Sequence, residues 1–192
     1  MHVLVIYAHP NPDSFNHAVC QQVIAGLSAA KIHYHLLDLY QEKFDPALIF
    51  NSRKRRSQMK SDPGTAHYRQ LVAAADHLIF VYPTWWSGMP AMLRGFFDRV
   101  FASGFAYTYN GPIPHGLLNG RAATLIYTMD SPAFYARLIR RSVEWRAVKG
   151  PIFHFCGIRP LHRLVLYGLR SSRVKKRQAF LAKVRRYCTN LR

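Results

Sequence analysis

Residues 77–101 read HLIFVYPTWWSGMPAMLRGFFDRVF, and this stretch decides the fold. Its opening run, His77–Val81, is short, apolar and rich in strand formers, as a buried strand is. Its end has a different period. Met92, Phe96 and Val100 recur at i+4, and so do Leu93, Phe97 and Phe101, which predicts a helix with a wide, deeply buried face. A buried strand feeding a buried helix through a tight turn is the repeating unit of a parallel α/β sheet. The turn itself is Pro-Thr-Trp-Trp-Ser-Gly-Met-Pro, and two adjacent tryptophans there are costly to leave in water. Pro83 stops the strand, and Gly88 is expected to supply a backbone conformation that other residues avoid. Pro90 suits a first helical position.

The same alternation extends in both directions. HVLVIYA (2–8) is a continuous strand-like run, and Phe15, Val19, Val23 and Leu27 mark the helix after it. IHYHLLDL (32–39) predicts a second strand, and TAHYRQLVAAAD (65–76) a helix before the third. Residues 40–61 are less regular and carry the basic run RKRR (53–56). RAATLIYT (121–128) predicts a fourth strand, 131–145 a helix, and 153–168 contains a fifth strand. From Ser172 the tail is helical, with Val174, Leu181, Val184 and Cys188 on one face and bases elsewhere. Strands alternating with helices predict a doubly wound, five-stranded parallel sheet in one domain, residues 1–192.

Composition narrows the class. Hydrophobic residues make up 49% of 192, which excludes a disordered chain, and no apolar run approaches the ~20 residues of a membrane span. The start, MHVLVIYAHP, has no basic leader and reads as a strand rather than a signal peptide. Cys20, Cys156 and Cys188 are odd in number and outside any CxxC spacing, so neither a disulfide framework nor a metal site is expected, and a reducing cytoplasm fits. Net charge is +18, with sixteen of the 27 Lys and Arg from Arg137 onward and Glu144 the one acid there. Such a field attracts phosphates, nucleic acid and anionic surfaces, but a merely solvated basic surface explains it as well. No nucleic-acid motif is present, so a nucleic-acid partner is not expected.

In a doubly wound sheet, ligands collect at the carboxyl ends of the strands. Three segments are expected to meet there. AHPNPDSFN (8–16) leads into a helix capped by Ser14, where free N–H groups and the helix dipole favour an anion, with His9, Ser14 and Asn16 adding side chains. An ordinary capped turn accounts for this segment equally well. PTWWSG (83–88) offers Trp85 and Trp86 as flat walls for a planar ligand, or as packing over a core edge or a dimer contact. YTMDSPAFY (127–135) brings Thr128, Asp130, Ser131 and Tyr135 to the same rim. A phosphate site beside aromatic walls suits a nucleotide-like ligand with a flat ring, and flavin fits. GxSxG and HExxH are absent.

Taken together these segments resemble the flavodoxin-like NAD(P)H:quinone oxidoreductases, the family of DT-diaphorase and bacterial drug-activity modulators. The matching pieces span nearly the whole chain: AHP…SFNHA, DLYQEKFDP, IFVYPTWWSGMPAMLRGFFDRVF, GFAYTY (104–109) and FHFCGI (153–158). The resemblance implies a tightly bound FMN or FAD. His9, Ser14, Phe15 and Asn16 would hold its phosphates. Pro83, Thr84, Trp85, Trp86 and Ser87 would hold the ring and ribityl chain, and Thr128, Met129, Asp130 and Tyr135 would line the pyrimidine side. It implies a homodimer in which Tyr107 and Tyr109 reach the partner's flavin, with Phe155 in the same pocket.

Two departures stand out. Where the mammalian family member has Thr-Thr-Gly-Gly, this chain has Tyr-Thr-Met-Asp (127–130). The family's catalytic histidine, six residues beyond the tyrosine, falls on Arg141, leaving Tyr135 and Arg141 as the catalytic candidates. The implied reaction is hydride transfer from NAD(P)H through the flavin to a quinone or similar flat acceptor. The alternative is a flavin-binding ancillary subunit that docks its basic face on a membrane transporter or other acidic partner.

Overall fold

In a computed structural model, which describes residues 1–52 and 55–191, five parallel strands form one sheet. They are β1 (His2–Tyr7), β2 (His33–Asp38), β3 (His77–Pro83), β6 (Ala122–Met129) and β7 (Leu161–Tyr167), in the order β2-β1-β3-β6-β7. This is the order of a flavodoxin-like sheet. Its central strand β3 is buried at every position, as a strand covered on both faces must be. Arg53 and Lys54 of the basic run lie outside the described residues. Among the described residues no helix is long and apolar enough to cross a membrane.

Alternate residues of the strands feed two cores. Leu4, Ile6, Leu78, Phe80 and Leu125 point to one, shared with α2 (Ala66–Ala74) and α3 (Ala91–Val100). Val3, Val5, Ile79, Val81 and Ile126 point to the other, shared with α1 (Phe15–Ala29) and α5 (Val174–Thr189). The expected apolar stripes lie where the period placed them: Val19, Val23 and Leu27 of α1 and Leu93, Phe96, Phe97 and Val100 of α3 are buried.

Four local expectations are corrected. Pro90 is the cap of α3 and stays extended, so the helix starts at Ala91. Val174 is exposed, and the buried face of α5 is instead Phe180, Val184 and Cys188. Residues 131–145 are not one helix. A wide helical turn at Tyr135–Ile139 ends in Arg141 and Ser142, both with left-handed backbone (φ 49° and 50°), before α4 (Val143–Val148) begins. Gly88, finally, is not the left-handed residue of the tryptophan turn.

That role falls on Trp86 (φ 52°) and Ser87 (φ 59°). Trp85 and Gly88 exchange both backbone hydrogen bonds, at 2.9 and 2.8 Å, so the turn is a two-residue hairpin of the primed type with positive φ at both central positions. A tryptophan and a serine carry the strain that Asn-Gly would relieve. The sequence reading also missed a small hairpin, β4 (Tyr107–Tyr109) with β5 (Pro114–Gly116), which holds the GFAYTY tyrosines.

Candidate flavin site

The carboxyl ends of β1, β3 and β6 converge on two adjoining cavities of about 200 and 150 Å³. Thr84, Met129 and Asp130 border both. The first is closed by His9, Ser14, Phe15, Asn16, Pro83, Trp85 and Thr128. Trp86, Ser87, Ser131 and Tyr135 help to enclose the second.

Each wall is fixed by a specific contact. The Thr84 N–H donates to the Thr128 carbonyl at 2.7 Å, which ties the tryptophan turn to β6. Ser14 caps α1: its Oγ accepts from the His17 N–H at 3.1 Å. The N–H groups of Phe15 and Asn16 open the same helix, where no preceding turn supplies carbonyl partners. Asn16 is buried and donates its side-chain amide to Thr128 Oγ1 at 3.0 Å. It therefore braces the floor, joining α1 to β6, rather than offering a free amide to a phosphate. His9 Nδ1 is held by the Asn11 N–H at 3.0 Å, and burial keeps this imidazole below its ordinary pKa of 6.5 and so neutral at pH 7. Its ring stands 6.0 Å from that of Trp85, tilted by 59°.

Polar satisfaction tests whether the cavities await a ligand. Among the described residues, Thr84 Oγ1 is a buried side-chain oxygen with no hydrogen-bond partner. An orphaned hydroxyl costs roughly 1–3 kcal/mol, and it sits where the two cavities join. A ligand with a polar edge entering there would restore the missing bond. The N-terminus of α1, which has no acidic residue in its first turn, on one side and aromatic walls on the other suit a phosphate and a flat ring, so the residues present fit a flavin.

Other expected residues lie apart. Tyr107 and Phe155 face each other at 4.7 Å and border a separate cavity with Phe97, Phe101 and Ile152. Tyr109 is exposed beside them, 6.5 Å from Phe155. Arg141 is exposed and borders neither of the two cavities; Arg140 borders the second. Within one chain these residues are not brought to the His9–Trp85 cavity.

Five wall residues escaped the sequence reading: Leu169 in the first cavity, and Ala136, Arg140, Val143 and Glu144 in the second. Leu169 closes the first cavity, held by its N–H bond to the Met129 carbonyl at 3.0 Å. Glu144 borders the second, buried, with Oε1 accepting from the Tyr127 hydroxyl at 3.2 Å and lying 3.6 Å from Arg163 Nη1. Burial foremost, and then the Glu144 charge, raises the Tyr127 pKa, so the phenol stays protonated as the donor. The signal for Glu144 was its isolation as the one acid among sixteen bases, but composition could not place it against Tyr127.

Comparison with known proteins agrees with this geometry. A family model described as flavodoxin-like fold matches residues 1–191. NAD(P)H dehydrogenase [quinone] 1 of Cavia porcellus is 32% identical, over 86% of this chain and 68% of its own. The chain belongs to the flavodoxin-like quinone oxidoreductase family. Among solved structures, this family member superposes on Smu.1420 from Streptococcus mutans UA159 with a TM-score of 0.94 and 39% identity, covering all of both chains. It matches the NAD(P)H:quinone oxidoreductase from Methanothermobacter marburgensis with a TM-score of 0.86 and 28% identity, over 99% and 96% of the two chains.

Proposed function

We propose that the protein is a flavin-dependent oxidoreductase that passes hydride from NAD(P)H to a quinone or similar flat acceptor. The unpartnered Thr84 hydroxyl at the junction of the two cavities carries the cofactor reading. The relatives named for quinone reduction support the acceptor class. Bound flavin, FMN or FAD, would supply the hydride-carrying ring. The chain supplies the rest. Ser14 and the first N–H groups of α1 hold the phosphate end. Thr84 offers a hydrogen bond to the ring, Trp85 and Trp86 wall it, and Met129 and Asp130 close the far side. Tyr135, half in solvent at the mouth of the second cavity, is placed to exchange a proton with an acceptor. Arg140 brings positive charge to that mouth. This is catalysis by orientation, with the reacting groups held together away from water.

Titrating the flavin-free protein with FMN and with FAD tests the reading. A saturable quench of tryptophan fluorescence is expected from at least one of them, followed by quinone-dependent oxidation of NADH or NADPH. No quench at tens of micromolar of either flavin sinks it. Flavin binding without quinone-dependent turnover would favour the docking-subunit alternative, which the +18 charge motivates. The buried, unpaired Cys20, Cys156 and Cys188 suit a cytoplasmic location.

The same reading makes the protein a homodimer. Tyr109, Ile113 and Leu117 are exposed near the Tyr107–Phe155 pair, an apolar group that borders neither of the two cavities at the tryptophan turn. A second copy would cover it and bring these tyrosines to the other copy's site. Light scattering should give about twice the 22.1 kDa chain mass at micromolar concentration. A monomer there removes Tyr107, Tyr109 and Phe155 from the site.

A further inference from the structure

A further cavity lies away from the tryptophan turn. It holds about 490 Å³, within the range of small-molecule sites, and it opens at the other end of the sheet. His77, Ala122 and His162 line it at the starts of β3, β6 and β7, facing the last turns of α5. Along β3, His77 is six residues from Pro83, about 20 Å at the rise of a strand. A ligand here would be independent of the flavin site.

The inner wall is polar and ordered. His77 Nε2 lies 2.8 Å and the Tyr187 hydroxyl 2.7 Å from Thr124 Oγ1. The single Thr124 proton goes to one of them, and the other must donate. Burial foremost, and then the nearby His162, lowers the His77 pKa to about 4, so its ring is neutral at pH 7. Charge is instead at the mouth. Lys183 and Arg186 stand three residues apart on α5 and border the cavity, and among the described residues its lining includes no carboxylate side chain. The C-terminal end of α5 opposes an anion, but its dipole amounts to about half a charge and fades within a turn. Of its last four carbonyls, those of Arg186 and Tyr187 already accept from the Asn190 N–H and that of Cys188 from the Leu191 N–H. Two full positive charges therefore outweigh it.

The remaining lining is apolar, with Leu164 and Leu191 beside the ring pair His162 and Tyr187, whose centroids are 6.3 Å apart at 54°. An inorganic anion would leave this space unfilled, and a neutral hydrocarbon would leave the two cations unused. We propose that this cavity binds a small aromatic carboxylate, with its ring between Leu164 and the His162–Tyr187 corner and its carboxylate at Lys183 and Arg186. Arg186 presents the forked donors that match a carboxylate.

The test uses flavin-loaded protein carrying ¹³C-labelled histidine, titrated with benzoate at constant ionic strength. Saturable shifts of the His77 and His162 ring signals are expected, with exposed His115 and the flavin spectrum unmoved. Benzyl alcohol and inorganic phosphate should give no saturable shift. Lys183→Gln together with Arg186→Gln should weaken benzoate at least tenfold, and both side chains are exposed, so the fold is kept. Shifts that stay linear in benzoate, shifts shared equally with His115, saturation by phosphate alone, or unchanged affinity in the double variant would each overturn the proposal.

Discussion

Gly95→Ala should lower the melting temperature by roughly 6–12 °C, the equivalent of about 3 kcal/mol in a chain of this size. A Cβ on Gly95 would stand 2.2 Å from the Pro46 carbonyl oxygen and 2.4 Å from the Pro46 Cβ. Neither neighbour is a flexible side-chain tip, and neither side can retreat. On one side α3 buries Leu93, Phe96, Phe97 and Val100 in the core. On the other, Arg99 ties down the loop before Pro46, pairing with the Asp45 carboxylate at 2.9 Å and donating to the Asp45 carbonyl. Alanine favours a helix over glycine by ~1 kcal/mol, which offsets only part of such a clash. Gly150→Ala is the control, because a Cβ there meets nothing within 4 Å. A Gly95→Ala protein melting within 2 °C of the parent would show that α3 and the Pro46 loop are not in that contact. The tryptophan turn precedes α3 directly, so a shifted helix should also loosen flavin binding.

The fold was legible because burial writes itself into period. In β1 and β3 the apolar runs are continuous, since both faces of the sheet are covered, and in α1 and α3 the i+4 spacing names the buried side. The errors fall where that coupling fails. At Arg141 and Ser142 the break comes from two left-handed residues with no glycine or proline to announce it. In α5, Val174 belongs by period to the face of Cys188 but precedes the point where the helix meets α1, so Phe180 takes the buried place. The β4–β5 hairpin has strands of three residues, too short for alternation to show.

The site was legible in part for a different reason. Turn residues at strand ends are conspicuous, so His9, Ser14, Trp85, Thr128 and Asp130 could be nominated from chain position, and all five border one cavity. What spacing could not convey is direction. Asn16 turns its amide inward to Thr128, Thr84 keeps a hydroxyl buried without a partner, and Glu144 reaches Tyr127 from a segment expected as a single helix. Leu169 arrives from the loop after β7, 160 positions from His9, by tertiary packing alone.

Trp86→Gly should change flavin affinity and apo-protein stability in opposite directions. Trp86 is fully exposed, at 102% relative accessibility, while its backbone is left-handed at φ 52°. Its indole therefore adds nothing to the core of the flavin-free chain, and its backbone is strained. Glycine removes that strain, worth about 1 kcal/mol, and the apo melting temperature should rise by roughly 2–4 °C. The indole nevertheless borders the second cavity, where a flat ring would bury it. Losing such a contact costs about 2 kcal/mol, so flavin should dissociate some thirtyfold more readily. Trp86→Ala separates the two effects: it removes the same indole but keeps a Cβ in the left-handed backbone, so affinity should fall equally while the gain in stability disappears. Calorimetry on the apo proteins and fluorescence titration with flavin supply both numbers. A lower apo melting temperature in Trp86→Gly would mean the indole is packed after all. Unchanged flavin affinity in both variants, with the dimer dissociating in light scattering, would assign the exposed indole to a second copy and leave Trp85 as the aromatic wall of the site.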